Sequence, residues 1–134
     1  MNMKPQYKKN ALKFKRFNTK DGVAATDLYN YEYRTSVIKN PAGDDVFKMD
    51  NVEVPADWSQ VATDILAQKY FRKAGVPQPD GTTGSETSVK QVAHRLADCW
   101  KTWGERYGYF ASKKDAQVFY DELVYSILGQ MAAP

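Results

Sequence analysis

The stretch Tyr31-Glu32-Tyr33-Arg34-Thr35-Ser36-Val37-Ile38-Lys39-Asn40-Pro41-Ala42-Gly43-Asp44-Asp45-Val46-Phe47-Lys48-Met49 decides how the fold begins. Its first half is rich in aromatic and β-branched side chains, which suit the pleated, half-covered surface of a strand. Asn40 to Asp44 then places Asn, Pro, Gly and Asp where a turn uses them, and Asp45 to Met49 resumes an extended pattern. Together they predict a β-hairpin whose loop is longer than the tight two-residue type. Asp50-Asn51 breaks the pattern, and Val52-Glu53-Val54 reads either as a third short strand or as an extended lead into the next element, so the β portion runs over about 31–54.

Beyond the hairpin the apolar period changes from two to about 3.6. Trp58, Val61, Ala62, Ile65, Leu66 and Tyr70 make the stripe of an amphipathic helix over about 57–74, stopped by Gly75 and Pro77. Gln78 to Ser85 has no period and many turn formers, which predicts a surface loop. Ser88-Val89-Lys90-Gln91 fits a capping box at the start of a second helix over about 88–107, with Val89, Val92, Ala93, Leu96, Trp100, Trp103 and Tyr107 as its stripe. Gly104 costs about 1 kcal/mol there relative to Ala, so the helix is expected to fray or end at Gly104, short of Gly108. Ser112 with Asp115 caps a third helix over about 113–128, striped by Ala116, Phe119, Leu123 and Ile127. The fold class is therefore α+β, mainly α: an N-terminal β-hairpin followed by three packed helices. In domain terms, a basic arm over 1–30 precedes one domain over 31–134.

A chain of 134 residues is one domain's worth, and 43% hydrophobic with 26% charged residues is a balance that builds a core. No apolar run is long enough for a membrane span and no secretory signal opens the chain, so a cytoplasmic protein with no membrane partner is expected. One cysteine, Cys99, excludes an internal disulfide, and with one histidine, His94, there are too few ligands for a structural metal. The arm holds Lys4, Lys8, Lys9, Lys13, Lys15, Arg16 and Lys20 with no acid through residue 20, leaving the rest of the chain mildly acidic. Such an arm can bind phosphate backbones, be a solvated tail, or pack as a strand against an acidic surface. No nucleic-acid motif of fixed spacing accompanies it.

Few residues offer chemistry. His94 flanks the second helix without a nucleophile elbow or a triad, and reads as a surface or packing histidine. Cys99 beside Trp100 reads as a small core hydrophobe. Asp44 and Asp45 sit in a turn, and Asp121 and Glu122 diverge by about 100° on a helix, so neither pair makes a carboxylate site. The aromatic set Trp58, Tyr70, Phe71, Trp100, Trp103, Tyr107, Tyr109, Phe110, Phe119 and Tyr120 follows the helical stripes and reads mainly as core, with Trp58 and Trp103 each contributing about 3 to 5 kcal/mol. Three short helices and a hairpin cannot enclose every large ring, so part of the set is expected to dock on something larger. No catalytic residue and no metal ligand is assigned, and cofactor-binding residues stay unassigned.

The run Val52-Glu53-Val54-Pro55, then Trp58-Ser59-Gln60-Val61-Ala62 and Asp64 through Pro77, resembles the N-terminal region of adenosylcobalamin-dependent (class II) ribonucleotide reductases. The resemblance continues through Glu86-Thr87-Ser88-Val89, His94-Arg95-Leu96, Gly108-Tyr109-Phe110, Phe119-Tyr120-Asp121-Glu122-Leu123-Val124 and Gln130-Met131-Ala132-Ala133-Pro134, and takes in Asn40-Pro41, Gly43 and Val46-Phe47. It implies a non-catalytic N-terminal domain or fragment of a ribonucleoside-diphosphate reductase that is inactive alone. Adenosylcobalamin would serve the full-length enzyme, and the thiyl-radical cysteine, the reducing cysteine pair and the ten-stranded barrel would lie downstream. Implied partners are the catalytic barrel, in the same or a separate chain, and a second full-length copy in a homodimer. The alternative is a standalone interaction module whose basic arm binds nucleic acid or whose aromatic face binds a protein.

Overall fold

Tyr31–Lys39 (β1) and Asp45–Pro55 (β2) pair antiparallel in a computed structural model that describes residues 4–132. They are followed by α1 (Gln60–Ile65), a two-stranded ribbon of β3 (Val76–Pro77) with β4 (Thr83–Gly84), α2 (Val89–Arg106) and α3 (Lys113–Leu128). A 3-10 turn at Ala25–Leu28 precedes β1. The hairpin followed by three helices is the expected α+β plan. Two compact units form: one from Asn30 to Val92, the other from the residues up to Tyr29 together with those from Ala93 onward.

In the Asn30–Val92 unit the break at Asp50-Asn51 is a bulge inside one continuous strand. Arg34 faces Val52 and Ser36 faces Met49, so Thr35 alone opposes two residues. Asn51 takes the extra residue's left-handed conformation, φ 57°, which Asn tolerates better than most, and Thr35 Oγ1 donates to Asp50 Oδ1 at 2.8 Å. Val52-Glu53-Val54 is thus the end of β2, and its two valines are fully buried. The hairpin loop closes on Asn40, whose side chain accepts from the Asp44 amide at 2.9 Å, while Gly43 supplies φ 89°.

The first helix is shorter than the apolar period suggests. Ser59 Oγ accepts from the Ala62 amide at 3.0 Å and fixes the start after Trp58. The Arg34 guanidinium holds the residues before it, donating to the carbonyls of Trp58 and Ala56 and to Thr63 Oγ1. At Leu66 the helix widens into a π turn through Tyr70, closed by the Phe71 amide on Leu66 O at 3.0 Å. Thr63, Leu66, Ala67 and Phe71 are buried, whereas Val61, Ile65 and Tyr70, expected on the buried stripe, are exposed. The expected loop over 78–85 also carries regular pairing, with Gln78 Nε2 donating to the carbonyls of Val76 and Ser85. The capping box at Ser88 forms at the expected place, Ser88 Oγ accepting from the Lys90 amide at 3.1 Å and Gln91 Oε1 from the Ser88 amide at 3.0 Å.

In the other unit α2 passes straight through Gly104. A Cβ at that position would lie 2.3 Å from Phe110 Cε2, so the glycine admits the ring where the expectation was a frayed end. Phe110 in turn packs with Phe14 and Phe119 at centroid distances of 6.0 and 5.3 Å. The buried positions of α2 in this unit are the small residues Ala93, Ala97 and Gly104. Trp100, Trp103 and Tyr107, expected in the core, lie on an arc rotated by about 70° from that face and are exposed. On α3, Ala116, Val118, Val124, Ile127 and Leu128 are buried, and Ser112 caps the helix by accepting from the Asp115 amide at 3.1 Å.

Two substitutions separate the faces of α2. Gly104→Ala is expected to lower stability by about 1 to 3 kcal/mol despite the better helix propensity of Ala, because Phe110 must move. Trp103→Ala is expected to change it by less than about 1 kcal/mol, far below the loss from a core tryptophan. Urea unfolding followed by circular dichroism measures both.

Candidate functional site

Residues 6–18 have no extended ladder of their own, so their backbone donors need partners elsewhere. They find them along the end of α2, the residues after it and α3. The amides of Gln6, Lys8 and Leu12 donate to the carbonyls of Glu105, Phe110 and Tyr109 at 2.7, 3.0 and 3.0 Å, and Ala111 donates back to Leu12 O at 2.9 Å. Further along, the Phe14 amide reaches Asp115 Oδ1 at 2.9 Å, and the amides of Phe17 and Asn18 share Glu122 Oε1. Arg16 donates to Asp121 Oδ2 at 2.8 Å, and that buried carboxylate also accepts from Gln117 at 2.9 Å. The basic arm is therefore a strap packed against acidic side chains, one of the three readings left open by its composition. Arg16 is the half-buried cation of the strap; Lys8, Lys9, Lys13, Lys15 and Lys20 stay exposed.

The strap shapes the ionisation of its partners. Burial, with the Glu105 carboxylate accepting its hydroxyl, pushes Tyr7 up to about 12. Burial raises the Glu122 pKa, but the amides of Asn18 and Phe17 and the donors of Thr19 outweigh it and hold the carboxyl below its ordinary 4.5. The Ser112 hydroxyl, the Phe14 amide and the charges of Lys13 and Lys114 overcome burial to hold Asp115 below 3.8.

A second polar cluster lies in the Asn30–Val92 unit. Glu53 Oε1 accepts from Ser88 Oγ at 2.6 Å, and Lys90 sits 3.5 Å from Glu53 and 4.1 Å from the centre of the Tyr31 ring. Burial works upward on Glu53, yet Ser88, Lys90 and the Tyr33 hydroxyl together keep its pKa low. The cluster ties the end of β2 to the first turn of α2, and each of its groups is taken up by that tie.

The residues singled out in the sequence are scattered. His94 Nδ1 pairs with the Tyr120 hydroxyl at 2.7 Å on an exposed surface. Cys99 is a half-buried free thiol. Asp45 pairs with Lys39 at 3.1 Å in the hairpin, and Asp44 closes its loop through the backbone. Asp121 and Glu122 each hold the strap, a role the sequence pattern did not reveal. The available signal was Phe14 within the lysine-rich run, an aromatic out of place in a solvated tail. Among the described residues no group of three His, Cys, Asp or Glu side chains gathers to hold a metal ion. His94, the one imidazole, is engaged with a phenol on the surface.

Comparison with known proteins supplies the context. Residues 32–130 match the family described as class II vitamin B12-dependent ribonucleotide reductase. The vitamin B12-dependent ribonucleotide reductase of Bradyrhizobium diazoefficiens is 43% identical, covering 92% of this chain and 12% of that protein. Those of Agrobacterium fabrum and Rhodopirellula baltica are 38% and 35% identical over 92% and 91% of this chain, and 12% and 11% of their own lengths. The chain thus spans about one-eighth of the length of these relatives and corresponds to their N-terminal part.

Acid is expected to release the strap. Because Asp115 and Glu122 have folded-state pKa values below their ordinary 3.8 and 4.5, their stabilisation is complete above those ordinary values and is lost as pH falls through the lowered ones. Amide exchange at Phe14, Phe17 and Asn18, followed by NMR from about pH 6 to pH 3, should accelerate at the acid end relative to amides of the α3 interior. Glu122→Gln should flatten that acceleration at Phe17 and Asn18.

Proposed function

Given that the chain belongs to the class II vitamin B12-dependent ribonucleotide reductase family, we propose that it serves as the non-catalytic N-terminal domain of a reductase converting ribonucleoside diphosphates to their 2′-deoxy forms. The observation that carries this reading is the 43% identity over 92% of the chain joined to coverage of only 12% of the relative. Adenosylcobalamin, bound by the catalytic portion, supplies the radical that starts the reaction. This chain's residues contribute packing: the strap, the hairpin and its Arg34 fork, and the helices they hold. The partner is the catalytic barrel, with the full-length enzyme a cytoplasmic homodimer. Among the described residues no helix is long and apolar enough to cross a membrane.

A second reading draws on the exposed lysines of the strap, which leave a cationic surface for a nucleic-acid backbone. One pair of measurements separates the two. The complete gene product carrying this segment should convert a ribonucleoside diphosphate to the deoxy form only with adenosylcobalamin present, while the 134-residue chain alone should form no product with or without it. Binding of single-stranded DNA by the 134-residue chain, weakening steeply with salt, together with no reductase activity in the complete product, would favour the nucleic-acid module.

A further inference from the structure

We propose that the aromatic face of α2, with Tyr109 just beyond it, is the surface on which the catalytic remainder of the reductase polypeptide docks. The inference rests on the reading of the chain as a reductase domain and names the contact through which that domain works.

Trp100, Trp103 and Tyr107 recur at spacings of three and four, so they share one arc of the helix. They are 38%, 52% and 57% exposed, and Tyr109 is 55% exposed with its ring 6.2 Å from that of Tyr107. Single exposed rings are ordinary, but four adjoining ones that include two tryptophans make an apolar patch of the kind that marks an interface. The core of their own unit has no use for them, because its seam is built from Ala93, Ala97 and Gly104.

Two observations select the occupant. First, relatives that share this chain's sequence devote 12% of their length to it, so a family member carries a large body of protein on the same polypeptide. Tethering presents that body at an effective concentration no free partner matches. Second, the strap brings positive charge to the patch: Lys8 lies against Gly108, and its amide and that of Leu12 bond to Phe110 and Tyr109. A second copy facing this one would set like charges against each other, which opposes association. The matching surface is an apolar pocket with an acidic rim.

The test is hydroxyl-radical footprinting read by mass spectrometry, on this chain and on a chimera in which it replaces the matching N-terminal stretch of the Bradyrhizobium diazoefficiens reductase. Oxidation of Trp100, Trp103, Tyr107 and Tyr109 is expected to slow about tenfold in the chimera, as in a desolvated interface core, while Phe17 on the strap keeps its rate. Unchanged rates at the four rings, or equal slowing of Phe17, would overturn the docking face. Slowing already present in the isolated chain and lost on dilution would overturn it in favour of a second copy. Adenosylcobalamin-dependent reduction by the chimera reports separately on the domain reading. An active chimera with unprotected rings sinks the face and leaves the domain reading standing, whereas an inactive chimera with unprotected rings sinks both.

Discussion

Three carboxylates on α3 hold together a stretch of backbone that has no regular structure to satisfy it. Asp115, Asp121 and Glu122 receive the Phe14 amide, the Arg16 guanidinium and the amides of Phe17 and Asn18. An extended segment lying on a helix cannot join the helix's own ladder, so its donors must meet side-chain acceptors or water. Charge favours the arrangement, because the strap is the most basic part of the chain and α3 presents acids to it. The Arg16–Asp121 pair, half-buried at the arginine and buried at the aspartate, adds little net energy as a pair, yet losing either member would leave a charge without its partner. With the strap in place, Phe14 meets Phe110 and Phe119, and Phe110 fills the space that Gly104 leaves.

The Asn30–Val92 unit solves a similar problem differently. Arg34, on a strand, gathers the carbonyls of Ala56 and Trp58 and the hydroxyl of Thr63 in one planar fork. Its geometry suits several acceptors at once, which an ammonium group cannot match. The bulge opposite Thr35 and the π turn at Leu66 each insert one residue and re-aim the side chains beyond it. The short helix between them is then fastened to β1 through Gln60 and Asp64, which meet Thr35 and Ser36.

Here the polar groups are consumed by internal ties: Glu53 with Ser88 and Lys90, His94 with Tyr120, Glu105 with Tyr7. Among the groups that face outward are the rings of Trp100 and Trp103 on α2 and the lysines of the strap.

Features set by neighbours in sequence were legible from the residues alone. The hairpin, the Ser88 capping box and the Ser112 cap depend on groups within a few positions of each other, and they form where the spacing places them. The family resemblance was legible for the same reason, being a property of residue order. The strap and the exposure of Trp103 were not, because each depends on packing that residue order does not display, and the π turn leaves no mark on the apolar period. Glu122 caps amides 104 and 105 positions away, and Gly104 is required by a ring that its own helix does not carry. An apolar period shows that a helix has an apolar face; only packing decides whether that face meets the core or waits for a partner, since a seam of Ala and Gly can bury a helix as closely as a stripe of large rings.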